Sequence, residues 1–355
     1  MSLKKEWIKT VVFDSMIIVL AIVLFFTIIP PPQKYQNITS EGIAREGFDY
    51  YYSLTQPSND SILLYEHKPN TSIIYHGTDI TINSEGLRDK FYNYEKESGT
   101  FRIAAVGDST TFGFLLNASD SYPKILENKL NNDSNQEKFK KYEVINFGIL
   151  GYGTTEEAEL IKTKVMEYRP DMIILGYTLD DPVISPNPYL AEKTNGSCFL
   201  YGTDIKVSCM VNKFIFSSKM STFILGKMSD VYFSIFDYYK ILYGSKRKWE
   251  NVVNGFSDIS KVSKQNNIPI VVVIFPLMEN MSNYKWESIH IMVEQEAEKE
   301  GFYVVDLLDY YKKYELPQLT LDELHTNKFG NEIAADAIYK KMKGKNITEK
   351  NNQIV

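Results

Sequence analysis

Two short stretches, 107–113 and 322–325, carry residue types that could do nucleophilic and acid–base chemistry. Gly107-Asp108-Ser109-Thr110-Thr111-Phe112-Gly113 follows directly on the apolar run Arg102–Val106. A serine at a strand end, leading into a helical turn, is well placed to be a nucleophile. Its hydroxyl can face the cleft, and backbone N–H groups at a helix start can receive a developing oxyanion. The second stretch is Asp322-Glu323-Leu324-His325. Serine needs a general base near neutral pKa, and imidazole is one. An Asp three residues earlier can turn back, accept the Nδ1–H and fix the tautomer. Each stretch also has a plain structural reading: a serine cap in an ordinary turn, and a solvated loop histidine. With four histidines in 355 residues, the placement of His325 is less accidental.

For these residues to meet, the elements between them must form a scaffold. Arg102–Val106 reads as a strand, followed by a helix over Tyr122–Leu130 and a strand over Tyr142–Asn146. Thr154-Thr155-Glu156-Glu157 resembles a capping box opening a helix that runs to about Tyr168. Asp171–Gly176 is the third strand, and an interruption covers residues 182–245. The alternation resumes with a helix near Lys248–Gln265, strand Ile270–Phe275, helix Lys285–Glu300, strand Tyr303–Asp306 and helix Phe329–Lys341. Short apolar strands alternating with helices imply an α/β fold, a parallel sheet covered on both faces. Its chemistry belongs at the carboxyl ends of the strands. Ahead of this core, residues 61–88 alternate between turn signals at Pro69 and Gly77, which predicts short strands or a hairpin.

Composition removes several function classes. Hydrophobic residues make up 44% and charged residues 24%, which is globular, with enough apolar side chains for a sizeable core. The net charge is −6 and no basic stripe is present, so no nucleic-acid partner is expected. His67, His76, His290 and His325 have no ligand spacing, and the two cysteines are too few for a structural zinc site. Gly148-Ile149-Leu150-Gly151-Tyr152-Gly153 is not a dinucleotide loop. No metal and no cofactor are implied.

The N-terminus suggests a compartment. Val11–Ile29 is an apolar run of about nineteen residues, enough to span a bilayer's hydrocarbon core. Lys4, Lys5 and Lys9 precede it, and basic residues beside a span stay cytoplasmic. Pro30-Pro31-Pro32 ends the run where a cleaved signal peptide would show a small-residue site. An uncleaved anchor with an extracytoplasmic body is therefore expected, making the chain a single-pass protein of the cell membrane. Asn-x-Ser/Thr triplets at Asn37, Asn59, Asn70, Asn117, Asn132, Asn195, Asn280 and Asn346 could be glycosylated on an exported chain. Cys198 and Cys209 lie in a loop-like stretch, where an oxidising exterior would permit a disulfide; a free pair is the alternative. In the interruption, Val231–Tyr243 is apolar on nearly every helical face, and reads as a helix packed on the sheet or as a lid beside the site.

Ser109 and the Asp322/His325 pair, in this order around an α/β core, resemble the SGNH/GDSL hydrolase family. Two further blocks extend the resemblance. Asn146-Phe147-Gly148-Ile149-Leu150-Gly151 fits the family's Asn-x-x-x-x-Gly, and Gly151 would give a backbone N–H to the oxyanion. Gly176-Tyr177-Thr178-Leu179-Asp180-Asp181 matches the third block except that Asp180 stands where Asn is expected. The resemblance covers residues 100 to 342. It implies a flavodoxin-like three-layer α/β/α sandwich, with Ser109 as nucleophile, His325 as base and Asp322 orienting it. Ser109 N–H, Gly151 N–H and the side chain at 180 would face the oxyanion. An ionised Asp at 180 can only accept hydrogen bonds. It would help only when protonated; otherwise two donors remain, at a cost of order 10²–10³ in rate.

The organisation so implied is an anchor over 1–30, a connector with a small β-rich segment over 31–99, a catalytic domain over 100–345 containing the 182–245 insertion, and a tail over 346–355. The expected substrate is an ester-bearing small molecule, a lipid or an acylated glycan. Hydrolysis, O-acyl transfer on a surface glycan, and ligand binding without catalysis all remain open at this level.

Overall fold

The computed structural model describes residues 53–134, 139–183, 197–199, 206–208 and 238–344. The apolar run 11–29, Cys209 and most of the 182–245 insertion lie outside these residues. Among the described residues no helix is long and apolar enough to cross a membrane. The chain divides into two compact units. One comprises residues 51–193 and 239–355, and the other residues 1–50 and 194–238. In the second, the described residues form one antiparallel pair, β8 and β9, taken up below.

The first unit opens with two small antiparallel pairs. β1 (Thr55–Pro57) pairs with β2 (Tyr65–His67), and β3 (Thr71–Tyr75) with β4 (Thr78–Ile82). The β3–β4 turn is His76-Gly77, both at positive φ (49° and 77°). Such a two-residue turn matches the twist of a hairpin, and glycine tolerates it without steric cost. Of the short strands or hairpin expected over residues 61–88, the structure shows β2 and the β3–β4 hairpin.

The core follows in strict alternation. β5 (Thr100–Gly107) leads into the one-turn helix α1 (Ser109–Phe112) and then α2 (Tyr122–Asn131). β6 (Lys141–Gly148) is followed by α3 (Thr154–Thr163), and β7 (Met172–Tyr177) closes the first half. The second unit's β8 (Ser197–Phe199) and β9 (Lys206–Ser208) intervene in sequence. The first unit resumes with α4 (Tyr238–Gly244), α5 (Lys246–Asn266), β10 (Ile270–Ile274), α6 (Glu287–Lys299), β11 (Tyr303–Asp306) and the last long helix α7 (Lys328–Gly344). Five strands form one sheet in the order β11-β10-β7-β5-β6, every pair parallel. Counted along the chain this is 2-1-3-4-5, the flavodoxin order. Right-handed crossovers on either side of β5 put α2 on one face and α3 on the other. α7 packs with α2, and α5 with α3, so both faces are covered. That is why β5, β7 and β10 are buried along their whole lengths and read as mostly apolar runs, with buried Arg102 of β5 paired to Glu143.

One local expectation is corrected. The capping box at Thr154–Glu157 is shifted: Gly153 is the N-cap, and its N–H is accepted by Glu156 Oε2 at 3.2 Å. Glycine has no side chain to return the bond. A Cβ at Gly153 would lie 2.5 Å from the carbonyl oxygens of Asp181 and Val183, so the tight seat of this turn excludes a Thr or Ser cap.

Candidate active site

Ser109 and His325 are 216 positions apart and meet at the carboxyl end of β5. Ser109 Oγ lies 2.8 Å from His325 Nε2. On the other side of the imidazole, Nδ1 is 2.8 Å from Asp322 Oδ2 and 3.0 Å from Oδ1. Asp322 is fixed in turn, because its Oδ1 accepts the N–H of Leu324 at 2.8 Å and of His325 at 2.7 Å. The segment between the last strand and α7 is cinched into this shape. Thr320 and Thr326 form an isolated bridge, and the Leu321 N–H donates to the His325 carbonyl at 2.9 Å. The Phe114 ring covers the imidazole at 4.7 Å between centroids.

Electrostatics follow the geometry. Burial alone would lower the His325 pKa, but the Asp322 hydrogen bond and charge, then the charges of Asp108 and Asp180, hold it above the ordinary value of 6.5. Burial would likewise raise Asp322. The hydrogen bond to His325, its charge and the two backbone N–H groups outweigh that and hold the carboxyl below its ordinary range. An imidazole so placed donates Nδ1–H to Asp322 and keeps Nε2 as an acceptor toward Ser109.

The serine is seated by three glycines. Gly107, Gly148 and Gly176 stand in one row across β6, β5 and β7. A Cβ at Gly107 would meet Thr111 Oγ1 at 2.1 Å, at Gly148 the Phe112 nitrogen at 2.2 Å, and at Gly176 Thr111 Oγ1 at 2.5 Å. α1 therefore rests directly on bare backbone. Asn146 braces it from below: its Nδ2 donates to the Thr111 carbonyl at 2.8 Å, and its Oδ1 accepts the Gly148 N–H at 2.9 Å. Buried Arg88 donates to the carbonyls of Phe112 at 3.1 Å and Gly113 at 2.6 Å, and also to that of Leu116. Asn331 on α7 joins the halves of the site. It accepts the Tyr122 N–H at 2.9 Å and donates to the Thr326 carbonyl at 3.1 Å.

Gly151 sits at φ 73° in a turn closed by the Tyr152 N–H on the Ile149 carbonyl at 3.2 Å. A positive φ at this place in a turn favours glycine. Asp180 is half-buried at the end of β7, with Oδ1 2.6 Å from the Thr178 hydroxyl. The same hydroxyl is 2.9 Å from Asp181 Oδ1 and 2.9 Å from Asp108 Oδ2. Burial, and next the charge of Asp180, pushes Asp108 up to about 6. Burial pushes Asp181 and Glu157 well above the carboxylate range, with their acidic neighbours adding to it.

All five residues named from the sequence (Ser109, Gly151, Asp180, Asp322 and His325) thus lie in the carboxyl-end loops of β5, β6, β7 and β11. Of the cysteines, Cys198 is in β8 and Cys209 is outside the described residues, so the disulfide expectation is untouched. Arg88, Asn146, Thr178 and Asn331 escaped sequence reasoning as parts of the site. Only Asn146 carried a signal, through its place in the Asn-x-x-x-x-Gly block.

No family model matches the chain, and no curated protein matches it. Similar solved structures include an α/β hydrolase enzyme from the metagenome of Lake Arreo, Spain. It is 14% identical, with a TM-score of 0.44, and the match covers 70% of this chain and 97% of that one. An acetyl xylan esterase is 14% identical with a TM-score of 0.44, covering 68% and 98%. A lipase/acylhydrolase from Enterococcus faecalis is 15% identical with a TM-score of 0.41, covering 69% and 96%.

Proposed function

We propose that the chain is a serine ester hydrolase of the SGNH type, anchored in a membrane through residues 11–29 with its body extracytoplasmic. Ser109 Oγ attacks the ester carbonyl carbon while His325 Nε2 takes its proton. Asp322 holds the imidazole and stabilises the imidazolium. The negative oxygen of the tetrahedral intermediate is received by the N–H groups of Ser109 and Gly151. His325 then gives its proton to the leaving alkoxide, and the alcohol departs. Water, deprotonated by His325, releases the acid from Ser109. The observation that supports this reading best is the 2.8 Å approach of Ser109 Oγ to His325 Nε2, with Asp322 at 2.8 Å behind it. The substrate class that fits is an ester-bearing small molecule, lipid or acylated glycan.

The protein from residue 53 onward should hydrolyse short-chain aryl esters, and Ser109→Ala should reduce the rate by at least about 10³-fold. Equal rates for both would refute the reading. A non-catalytic, ligand-binding role is favoured by one feature, the carboxylate of Asp180 where a donor is needed. Inertness of the wild type toward all esters, with retained affinity for an acylated glycan, would establish that alternative.

A further inference from the structure

A second Asp–His–hydroxyl chain lies beyond the end of β10, and the proposed reaction does not use it. Asp306 is the last residue of β11, His290 stands in the first turn of α6, and Tyr284 lies in the loop between β10 and α6. His290 Nδ1 is 2.9 Å from Asp306 Oδ1 and 3.0 Å from Oδ2, and its Nε2 is 3.0 Å from the Tyr284 oxygen. That oxygen in turn accepts the Leu277 N–H at 3.0 Å. His290 is 1% exposed, and Tyr284 and Leu277 are buried with it.

The chain has one consistent set of protons. A carboxylate only accepts, so a neutral imidazole here carries its proton on Nδ1 and keeps Nε2 as an acceptor. Burial pushes the Tyr284 phenol above its ordinary range, so it holds its proton and donates it to Nε2. Each donor from Leu277 to His290 thereby has an acceptor. The order is that of Ser109, His325 and Asp322, but this hydroxyl is no nucleophile: its oxygen is buried and already holds a backbone N–H. What the chain fixes is the backbone just after β10. Met278, the next residue, donates its N–H to the Glu323 carbonyl at 2.8 Å. Glu323 lies between Asp322 and His325, inside the turn whose N–H groups hold the Asp322 carboxylate. The bonds within 320–326 shape that turn, and the Met278 N–H ties its middle to the end of β10.

We propose that Tyr284, His290 and Asp306 are positioning residues for the Asp322–His325 turn, acting through Leu277 and Met278. The positioning stands on the hydrogen bonds alone. Its effect on rate rests on the ester hydrolase reading. Removing the Tyr284 hydroxyl leaves the Leu277 N–H and His290 Nε2 without partners in a buried place, and the backbone must shift to regain them. A displacement of about 1 Å at a catalytic group costs about 10²-fold in rate.

Tyr284→Phe removes one oxygen and keeps the ring. Asp306→Asn keeps the shape and lets the amide donate to Nδ1, which reverses the imidazole tautomer. Both are made in the full-length protein with isotope-labelled histidine. The first readout is the His325 Nδ1–H proton resonance, identified by its loss in His325→Ala; it needs no substrate. It should broaden or move in both variants. The second is hydrolysis of an aryl acetate: kcat should fall about 10- to 100-fold while KM stays within about twofold. An unmoved His325 resonance in a folded variant overturns the proposal, whatever the melting temperature, because the chain is then structural only. A resonance that moves while kcat does not overturns the effect on rate. Asp306 is partly exposed, so its Asn variant carries the test if Tyr284→Phe does not fold. Wild type inert toward esters, with the resonance still displaced in the variants, refutes the hydrolase reading and leaves the positioning intact.

Discussion

Replacing Asp180 by Asn should accelerate ester hydrolysis. The substitution keeps the shape of the side chain and exchanges an acceptor-only group for one with an N–H donor. At an illustrative separation of about 5 Å and an effective dielectric of about 20, a carboxylate opposes a developing oxyanion by roughly 3 kcal/mol. That is about 10²-fold in rate. Asp180 is half-buried, so solvent screening reduces the gain to between about 10- and 100-fold. The Thr178 contact at 2.6 Å can pass to the Asn carbonyl oxygen, so the side chain keeps its anchor. The assay is kcat/KM on an aryl acetate, beside a melting curve for each protein. Because the effect is on charge in the transition state, kcat should carry it and KM should move little. In a folded protein, an Asp180→Asn rate equal to or below wild type would refute the electrostatic reasoning.

Asp322→Asn should lower kcat by about 10⁴-fold, as loss of the orienting carboxylate does in serine triads. Activity should fall on the acid side, since His325 must be neutral to act and its pKa is held above 6.5 by Asp322. The residual Asp322→Asn activity should therefore persist to lower pH, as a kcat/KM profile would reveal. Gly148→Ala forces a Cβ to within 2.2 Å of the Phe112 nitrogen, a backbone atom that cannot yield cheaply. It should destabilise the fold by roughly 1–3 kcal/mol, visible as a lowered Tm, and displace Ser109 with the helix. Protease added to intact cells should remove the body of the protein; full protection until lysis would overturn the proposed orientation.

The core strands were legible because burial on both faces selects runs such as Ile270–Ile274, whose composition leaves little alternative. Ser109 and the Asp322/His325 pair were legible as chemistry, since a nucleophile at a strand end and an Asp three residues before a His have few other joint uses. The row of Gly107, Gly148 and Gly176 was not legible, because it exists only once the register of three parallel strands is known. The same holds for Arg88, which reaches the carbonyls after Ser109 from a loop preceding the core. The acidic set around Thr178 was missed for a related reason. Clustered histidines and cysteines show in a sequence, whereas Asp108 and Asp181 become neighbours only when β5 and β7 pair.

The central claim is that Ser109 is a nucleophile activated by His325. The direct test is a fluorophosphonate probe applied to the soluble part of the protein, followed by peptide mapping of the adduct. The account predicts one stoichiometric adduct on Ser109, absent in Ser109→Ala and at least about 10²-fold slower to form in His325→Ala. A wild-type protein that is folded yet unlabelled, or labelled equally after Ser109→Ala, would contradict it.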